Sequence, residues 1–374
     1  MKEYSITNRE KLRRIDPVVL FCVLGMNIMS IVTLASTADH LGTWYVKMQS
    51  LVSVIGIVVM LAITFIDYDA LITKVRYGFA AMTVVLILAV KVFGSGSNGN
   101  SNWITIPGIG VSIQPTEFVK ITFIIMFALH LAKVRDKINN PLNILGLVLH
   151  GGLTIALVLW TGDLGMALVY LAIMAIMMFA SGVSLWYFAG VTAAGLIASP
   201  FIWSHLSESR QNRILFGFNP DLDPLGKGWD AVCSRNCIIS GGFRGAGFSG
   251  GSKYKMIFAS QSDFCFSVLA EKFGFLGTIL YLILITVLII RILMIAKNTR
   301  KKYASFICVG IAGMLIAQTV ENIGMCLALL PVVGITLPFL SYGASSLLSM
   351  YICIGIVQCI CAHNDRYYFD RENG

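Results

Sequence analysis

"FASQSDFCFSVLAEKFGFLG", residues 258–277, begins as a polar loop and becomes an apolar helix. Asp263 stands at the turning point and Glu271 two turns further in. What this helix enters is answered by the rest of the chain. Of its 374 residues 57% are hydrophobic and 13% charged, where a soluble domain carries about 25% charged residues. Mean hydropathy is +0.79. Apolar stretches of about 20 residues, the length needed to cross a bilayer, recur from end to end. The fold class is therefore an all-α polytopic membrane protein, read as a single transmembrane domain over residues 1–374.

The spacing predicts helices near 17–36, 45–66, 75–93, 116–134, 143–160, 164–181, 186–204, 263–296, 303–329 and 345–361. That is about ten transmembrane helices, with a long external loop, 205–262, between helices 7 and 8. The stretch 263–296 exceeds a bilayer's thickness, so it either projects beyond the membrane or is kinked. The apolar run after the basic N-terminus lacks a small-residue cleavage site and reads as a retained first helix.

Charge sets the orientation. Lys and Arg total 28 against 19 Asp and Glu, a formal net charge of +9. In a soluble protein that balance suggests nucleic acid; here its distribution reads as topology, and no nucleic-acid partner is expected. Segments 1–14, 67–76, 133–142, 297–302 and 362–374 hold 5, 2, 3, 4 and 2 Lys/Arg, whereas 37–43, 94–115 and 330–344 hold none. Short cytoplasmic loops are rich in Lys and Arg, which places both termini in the cytoplasm. The same cations attract anionic membrane lipid. The long segment 205–262 breaks the pattern, with Arg210, Arg213, Lys227, Arg235, Arg244, Lys253 and Lys255. Two readings stay open: solvated loop cations, or cations that meet an anion.

Most of the nine cysteines lie within apolar spans, as small hydrophobes do. Cys233 and Cys237 share the external segment at one helical turn's spacing, which favours free thiols over a disulfide. Two GxGxxG matches, "GSGSNG" (94–99) and "GAGFSG" (245–250), lack the strand–turn–helix context of a dinucleotide site. A backbone anion cradle at 241–251 remains open. In "QPTEFVKI", 114–121, Pro115 and Glu117 suit a helix start. Glu117 and Lys120 share one face, either paired with each other or lining a polar cavity. Asp163 in "WTGDLG" reads as a helix cap. "PVVGITLPFLSYGASS", 331–346, reads as irregular backbone, tolerated in a membrane only where protein or a watery cavity surrounds it. Glu117, Lys120, Asp163, Asp263, Glu271 and Ser341 thus stand at ends that can converge. "SQSD" reads as a helix cap, yet capping accepts Ser or Asn equally well and does not itself require an acid.

Together "QPTEFVK", "RILFGFNPDLDPLGKG", "SQSDFCFSVLAEKFGFLG" and "NIGMCLALLPVVGITLPFLSYGASS" resemble the signature segments of the SEDS family (shape, elongation, division and sporulation), the RodA/FtsW/SpoVE proteins. The match runs in order from the first helix to the last. The resemblance implies a peptidoglycan glycosyltransferase of the bacterial cytoplasmic membrane that polymerises lipid II on the outer face, partnered by a class B penicillin-binding transpeptidase. It implies that Asp263 is catalytic, that Glu117, Lys120 and Asp163 are cavity residues, and that Glu271 is the first acid of a Glu-Glu pair. The chain departs from the family pattern in "TGDLG" for "QPDLG", Asn102 for Arg, Lys272 for the second Glu, Thr336 in "GITLPF" and Ala344 in "SYGASS". Its short tails and total length lean toward the elongation branch.

The implied chemistry needs these residue types. A sugar 4-hydroxyl attacking an anomeric carbon needs a base, and a positioned carboxylate supplies about 10²–10⁴-fold. The leaving lipid pyrophosphate is already a stable anion, so it needs cations where glycosidases need a second acid. Arg210, Arg213, Lys253 and Lys255 are the candidates, with Lys120 nearer the cavity. A divalent cation, Mg or Mn, is compatible with that task, although no residue cluster specifies a metal site and no resident cofactor is assigned. Two rival readings remain: a lipid II flippase or transporter, and a non-catalytic scaffold for a transpeptidase.

Overall fold

A computed structural model describes residues 14–69, 72, 76–94, 102–106 and 111–364. The chain is a helical bundle. Its first seven long helices are α1 (Pro17–Ala35), α2 (Trp44–Thr64), α3 (Arg76–Phe93), α4 (Pro115–Val134), α5 (Pro141–Trp160), α6 (Leu164–Ser181) and α7 (Leu185–His205). Two shorter helices, α8 (Glu208–Phe218) and α9 (Trp229–Gly241), occupy the segment expected as a polar, Gly-rich loop. The bundle is completed by α10 (Cys265–Asn298), α11 (Lys302–Cys326) and α12 (Ala344–Ala362). Every expected span corresponds to one helix, because runs of apolar residues bounded by Pro, Gly and charge fix both ends. A small antiparallel hairpin, β1 (Ile104–Ile106) and β2 (Val111–Ile113), was not foreseen; it sets Ile104 opposite Ile113.

Among the described residues, α1, α2, α5, α6, α10, α11 and α12 are long and apolar enough to cross a membrane. Helix α4 has 20 residues but carries Glu117, Lys120 and Lys133. Helices α3 and α7 contain the shorter apolar runs Tyr77–Phe93 and Leu185–Phe201. Phe21, Ile28, Val54, Val58, Trp186 and Ile197 point outward from the bundle. Lipid tails are as apolar as these side chains, so such a surface costs little in a membrane. Inside, α11 and α12 are almost wholly buried.

At one end Asp16 joins three helices. Its carboxylate caps α1 by accepting from Val18 N and Val19 N, and accepts from Arg291 Nε of α10 at 2.6 Å. The Gln358 amide of α12 bonds both backbone groups of Asp16 at 2.9 Å.

The length of α10 is resolved as a break, the kinked alternative of the two expected. Gly274 has φ 64 and ψ −161, a conformation outside the helix that is essentially restricted to glycine. The break frees backbone groups that apolar surroundings cannot satisfy. The chain just after α9 satisfies them. Ala246 N and Gly247 N donate to the carbonyls of Glu271 and Lys272 at 2.8 and 3.0 Å, and Phe275 N and Leu276 N donate to Gly242 O and Phe243 O at 2.9 and 3.2 Å. A Cβ on Gly274 would lie 2.3 Å from Gly245 N.

Gly274→Ala therefore adds both a clash and a backbone penalty of about 1–3 kcal/mol. The melting temperature of the purified protein in detergent should fall by several degrees. Gly152→Ala, where the added Cβ meets nothing within 4 Å, should leave it unchanged.

Candidate functional site

Asp263 occupies the last turn before α10. Ala259, with φ 57, aims its carbonyl at the N–H groups of Ser262, Asp263 and Phe264. From α11, Asn322 Nδ2 donates to Asp263 O at 2.7 Å and to Ile335 O at 2.6 Å. One side-chain amide thus ties the Asp263 turn to the segment 331–343. Ser341 Oγ donates to Ser262 O at 2.5 Å and accepts from Leu337 N at 2.9 Å. Tyr342 N donates to Gln261 O at 2.9 Å. The backbone of Asp263 is held from two sides.

Its carboxylate is not used for capping. The first turn of α10 has no side-chain cap bond, and its N-cap position is Phe264, so the capping reading of "SQSD" does not hold. A Cβ on Gly334 would stand 3.2 Å from Asp263 Oδ2, which brings the 331–343 segment against the acid. Burial pushes the Asp263 carboxyl up to about 6, with the Asp230 carboxylate adding to the rise and a hydrogen bond from Ser262 opposing it.

Glu117 and Lys120 form a direct pair. Lys120 Nζ lies 2.7 Å from Glu117 Oε2, and both side chains are buried. Ser349 Oγ of α12 donates to the same carboxylate oxygen at 3.0 Å. Asp163 caps α6 by accepting from Met166 N at 3.0 Å, as its position suggested, and also accepts from Gln114 Nε2 at 2.9 Å. Burial raises its carboxyl, and those two hydrogen bonds hold it down. Glu321 of α11 lies within electrostatic reach of Lys120 and Asp163. Its Oε2 is buried without a hydrogen-bond partner, as are both polar atoms of the Gln318 amide one turn earlier. Sequence reasoning missed Glu321, Gln318 and Asn322. The signal was an acid inside an apolar span, one residue before the quoted "NIGM".

Glu271 is turned to the backbone of the loop before α10. Its two oxygens accept from the backbone N–H groups of Ser252, Lys253 and Tyr254 at 3.0, 2.8 and 2.8 Å. Lys272 Nζ donates to Gly250 O at 2.7 Å and Phe248 O at 3.2 Å, and lies 4.7 Å from the Tyr254 ring centre. Both side chains fasten the segment 248–254. Lys253 and Lys255 sit on the turn so fixed, with exposed side chains. Arg210 and Arg213 lie on α8, with side chains outside the described residues. Arg235 pairs with Asp221 at 2.6 Å, a solvated pair. Cys233 and Cys237 are buried free thiols on α9. "GAGFSG" supplies, through Ala246 and Gly247, two of the four bonds that repair the break in α10, and "GSGSNG" lies beyond the described residues except for Gly94. Among the described residues no three His, Cys, Asp or Glu side chains converge as a metal site.

The chain as a whole is similar to known proteins. Residues 14–366 match the family model FtsW/RodA/SpoVE, described as "Cell cycle protein". The chain is 32% identical over 373 residues to the probable peptidoglycan glycosyltransferase FtsW of Trichlorobacter lovleyi, covering 94% of each. It is 36% identical over 324 residues to the stage V sporulation protein E of Bacillus subtilis, covering 84% of this chain and 86% of that one. With the peptidoglycan glycosyltransferase MrdB of Escherichia coli it shares 32% over 361 residues, 93% of this chain and 94% of that one. These relatives do not single out the elongation branch. Among solved structures, a chain from a study of how a peptidoglycan synthase complex coordinates polymerization and crosslinking superposes with a TM-score of 0.81. It is 28% identical, and the match covers 94% of this chain and 98% of that one. The rod shape determining protein RodA of Thermus thermophilus gives 0.69 at 26% identity, with the same coverage. The chain belongs to the FtsW/RodA/SpoVE family.

Proposed function

We propose that this protein is a peptidoglycan glycosyltransferase that polymerises lipid II with Asp263 as general base. The observation that carries the reading is the Asp263 turn: a carboxylate free of any cap, on a backbone fixed by Asn322 and Ser341. In the reaction the acceptor's sugar 4-hydroxyl gives its proton to Asp263 while its oxygen attacks the donor's anomeric carbon. The bond from that carbon to the pyrophosphate oxygen breaks, and the lipid pyrophosphate leaves with the electron pair. Attack opposite the leaving group inverts the anomeric centre and yields the β-1,4 linkage. Exposed Lys253 and Lys255 lie on the turn that Glu271 fastens, where their charge can meet the departing phosphates. The buried Glu117–Lys120 pair, with Asp163 and Glu321, lines the polar interior against which the head group rests. The active site faces outward, where both lipid substrates reach it from the membrane. A class B penicillin-binding transpeptidase is the partner, a reading supported by the synthase-complex neighbour.

The test is polymer formation from lipid II by the purified protein in liposomes with its co-expressed transpeptidase. Asp263→Asn is nearly isosteric and cannot accept the proton, so polymerisation should fall by about 10²–10⁴-fold. Full activity in that variant would place the base elsewhere. Loss in wild type and variant alike, with both folded and partnered, would turn the reading toward a transporter that uses the buried charges.

The pH profile follows from the same carboxyl. The base works deprotonated, so the rate should rise with pH through about 6 and then level. A profile flat across that range would separate the rate from Asp263.

Replacing Lys253 and Lys255 together with Ala should lower the rate by about tenfold, the order of one or two charge-assisted contacts. The loss should grow at low salt relative to high salt, where screening already weakens the wild-type contacts.

A further inference from the structure

Two consecutive residues at the start of α9 grip the segment that leads to Asp263. Trp229 Nε1 donates to Met256 O at 3.0 Å, and Asp230 Oδ1 accepts from Phe258 N at 3.2 Å. Between these two anchors Ile257 is buried in the core. The residue after Phe258, Ala259, holds the left-handed conformation whose carbonyl collects the N–H of Asp263. Helix α9 is itself fixed against the bundle, since Ser234 Oγ donates to Cys326 O at 2.8 Å and contacts Ser267 Oγ at 2.6 Å. The anchor on Phe258 therefore rests on α10 and α11, the same two helices that bracket the acid.

We propose that Asp230 is a positioning residue for the general base: it fastens the 257–263 turn and holds a second negative charge toward Asp263. This rests on the reading of Asp263 as base. The charge matters because a neighbouring carboxylate disfavours ionisation and makes its neighbour a stronger base. Among the described residues, the ionisable groups within electrostatic reach of Asp263 are Asp230 from α9 and the Cys326 thiol from α11, whose sulfur contacts Asp263 O. The 331–343 segment brings Gly334 to it, which carries no charge. Asp230 in turn is faced by Asp263 and by Cys233, one turn along α9.

The two contributions separate by substitution. Asn keeps an acceptor oxygen for Phe258 N and removes the charge; Ala removes both. Polymerisation of lipid II in liposomes is followed across the acid and neutral range for wild type, Asp230→Asn, Asp230→Ala and Asp263→Asn. Asp230→Asn should move the rising limb of the rate to lower pH and lower the plateau severalfold, with KM unchanged. Asp230→Ala should show the same displaced limb and a plateau lower by a further factor of about ten, as expected for a loosened catalytic turn. If Asp230→Ala fails to fold, the limb in Asp230→Asn decides alone. A limb that stays at the wild-type pH overturns the proposal, whether the plateau is kept or lost with a falling melting temperature. An active Asp263→Asn removes the base reading itself, and a dead Asp263→Asn beside an unmoved limb removes only the role of Asp230.

Discussion

A helix cannot be broken in an apolar bundle unless the freed backbone groups find partners, and the break in α10 at Gly274 governs how the rest of the site end is built. The 242–247 strip supplies four backbone hydrogen bonds across it. That docking pins the end of α9, and with it the whole segment that returns to Asp263. Within the first turns of α10, Glu271 and Lys272 then fasten residues 248–254 from both sides of the same strip. The carboxylate at the head of the helix and the lysines on the returning turn are thus parts of one body. Reacting groups held this way lose little entropy at the moment of reaction.

Helix α11 connects the Asp263 turn with the group around Glu117 and Lys120. Asn322 holds the Asp263 turn, while Glu321, beside it in sequence, lies within electrostatic reach of Lys120 and Asp163. A displacement of α11 would therefore be felt at both places. The buried pair Glu117–Lys120 is a poor explanation for stability, because desolvating two charges costs about as much as their attraction returns. Glu321 brings a further acid to that pair with one oxygen unpartnered. Such a group fits a surface that meets a polar ligand better than one sealed for packing.

The ten long helices were legible because a membrane imposes a single strong signal, an apolar run of fixed length between polar breaks. Their ends fell within a few residues of the expected positions for that reason. What the same signal hid was everything with mixed polarity. Helix α8, "ESRQNRILFGF", and helix α9, "WDAVCSRNCIISG", lie in a segment whose glycines and charges read as loop. Asp230 was not singled out, since nothing in its local pattern marks the contact with Phe258. Glu321 was missed although an acid within a membrane span is itself a signal. Asp163 and the Glu117–Lys120 pair were legible because their partners are near in sequence or at helix ends, where spacing alone limits the choices.

Lys272 shows what a residue-by-residue comparison leaves out. Against the family pattern it is a departure, a cation where a second acid is usual. In this fold its ammonium faces the carbonyls of Phe248 and Gly250 and the face of Tyr254, all of which attract a cation. Glu271 faces three N–H donors on the other side of the same turn. The adjacent acid and base are matched to opposite backbone groups: acceptors for the lysine, donors for the glutamate. A carboxylate in place of Lys272 would face two carbonyl oxygens and be repelled by both. The departure therefore fits the path of its own loop, and that path carries Lys253, Lys255 and the approach to Asp263.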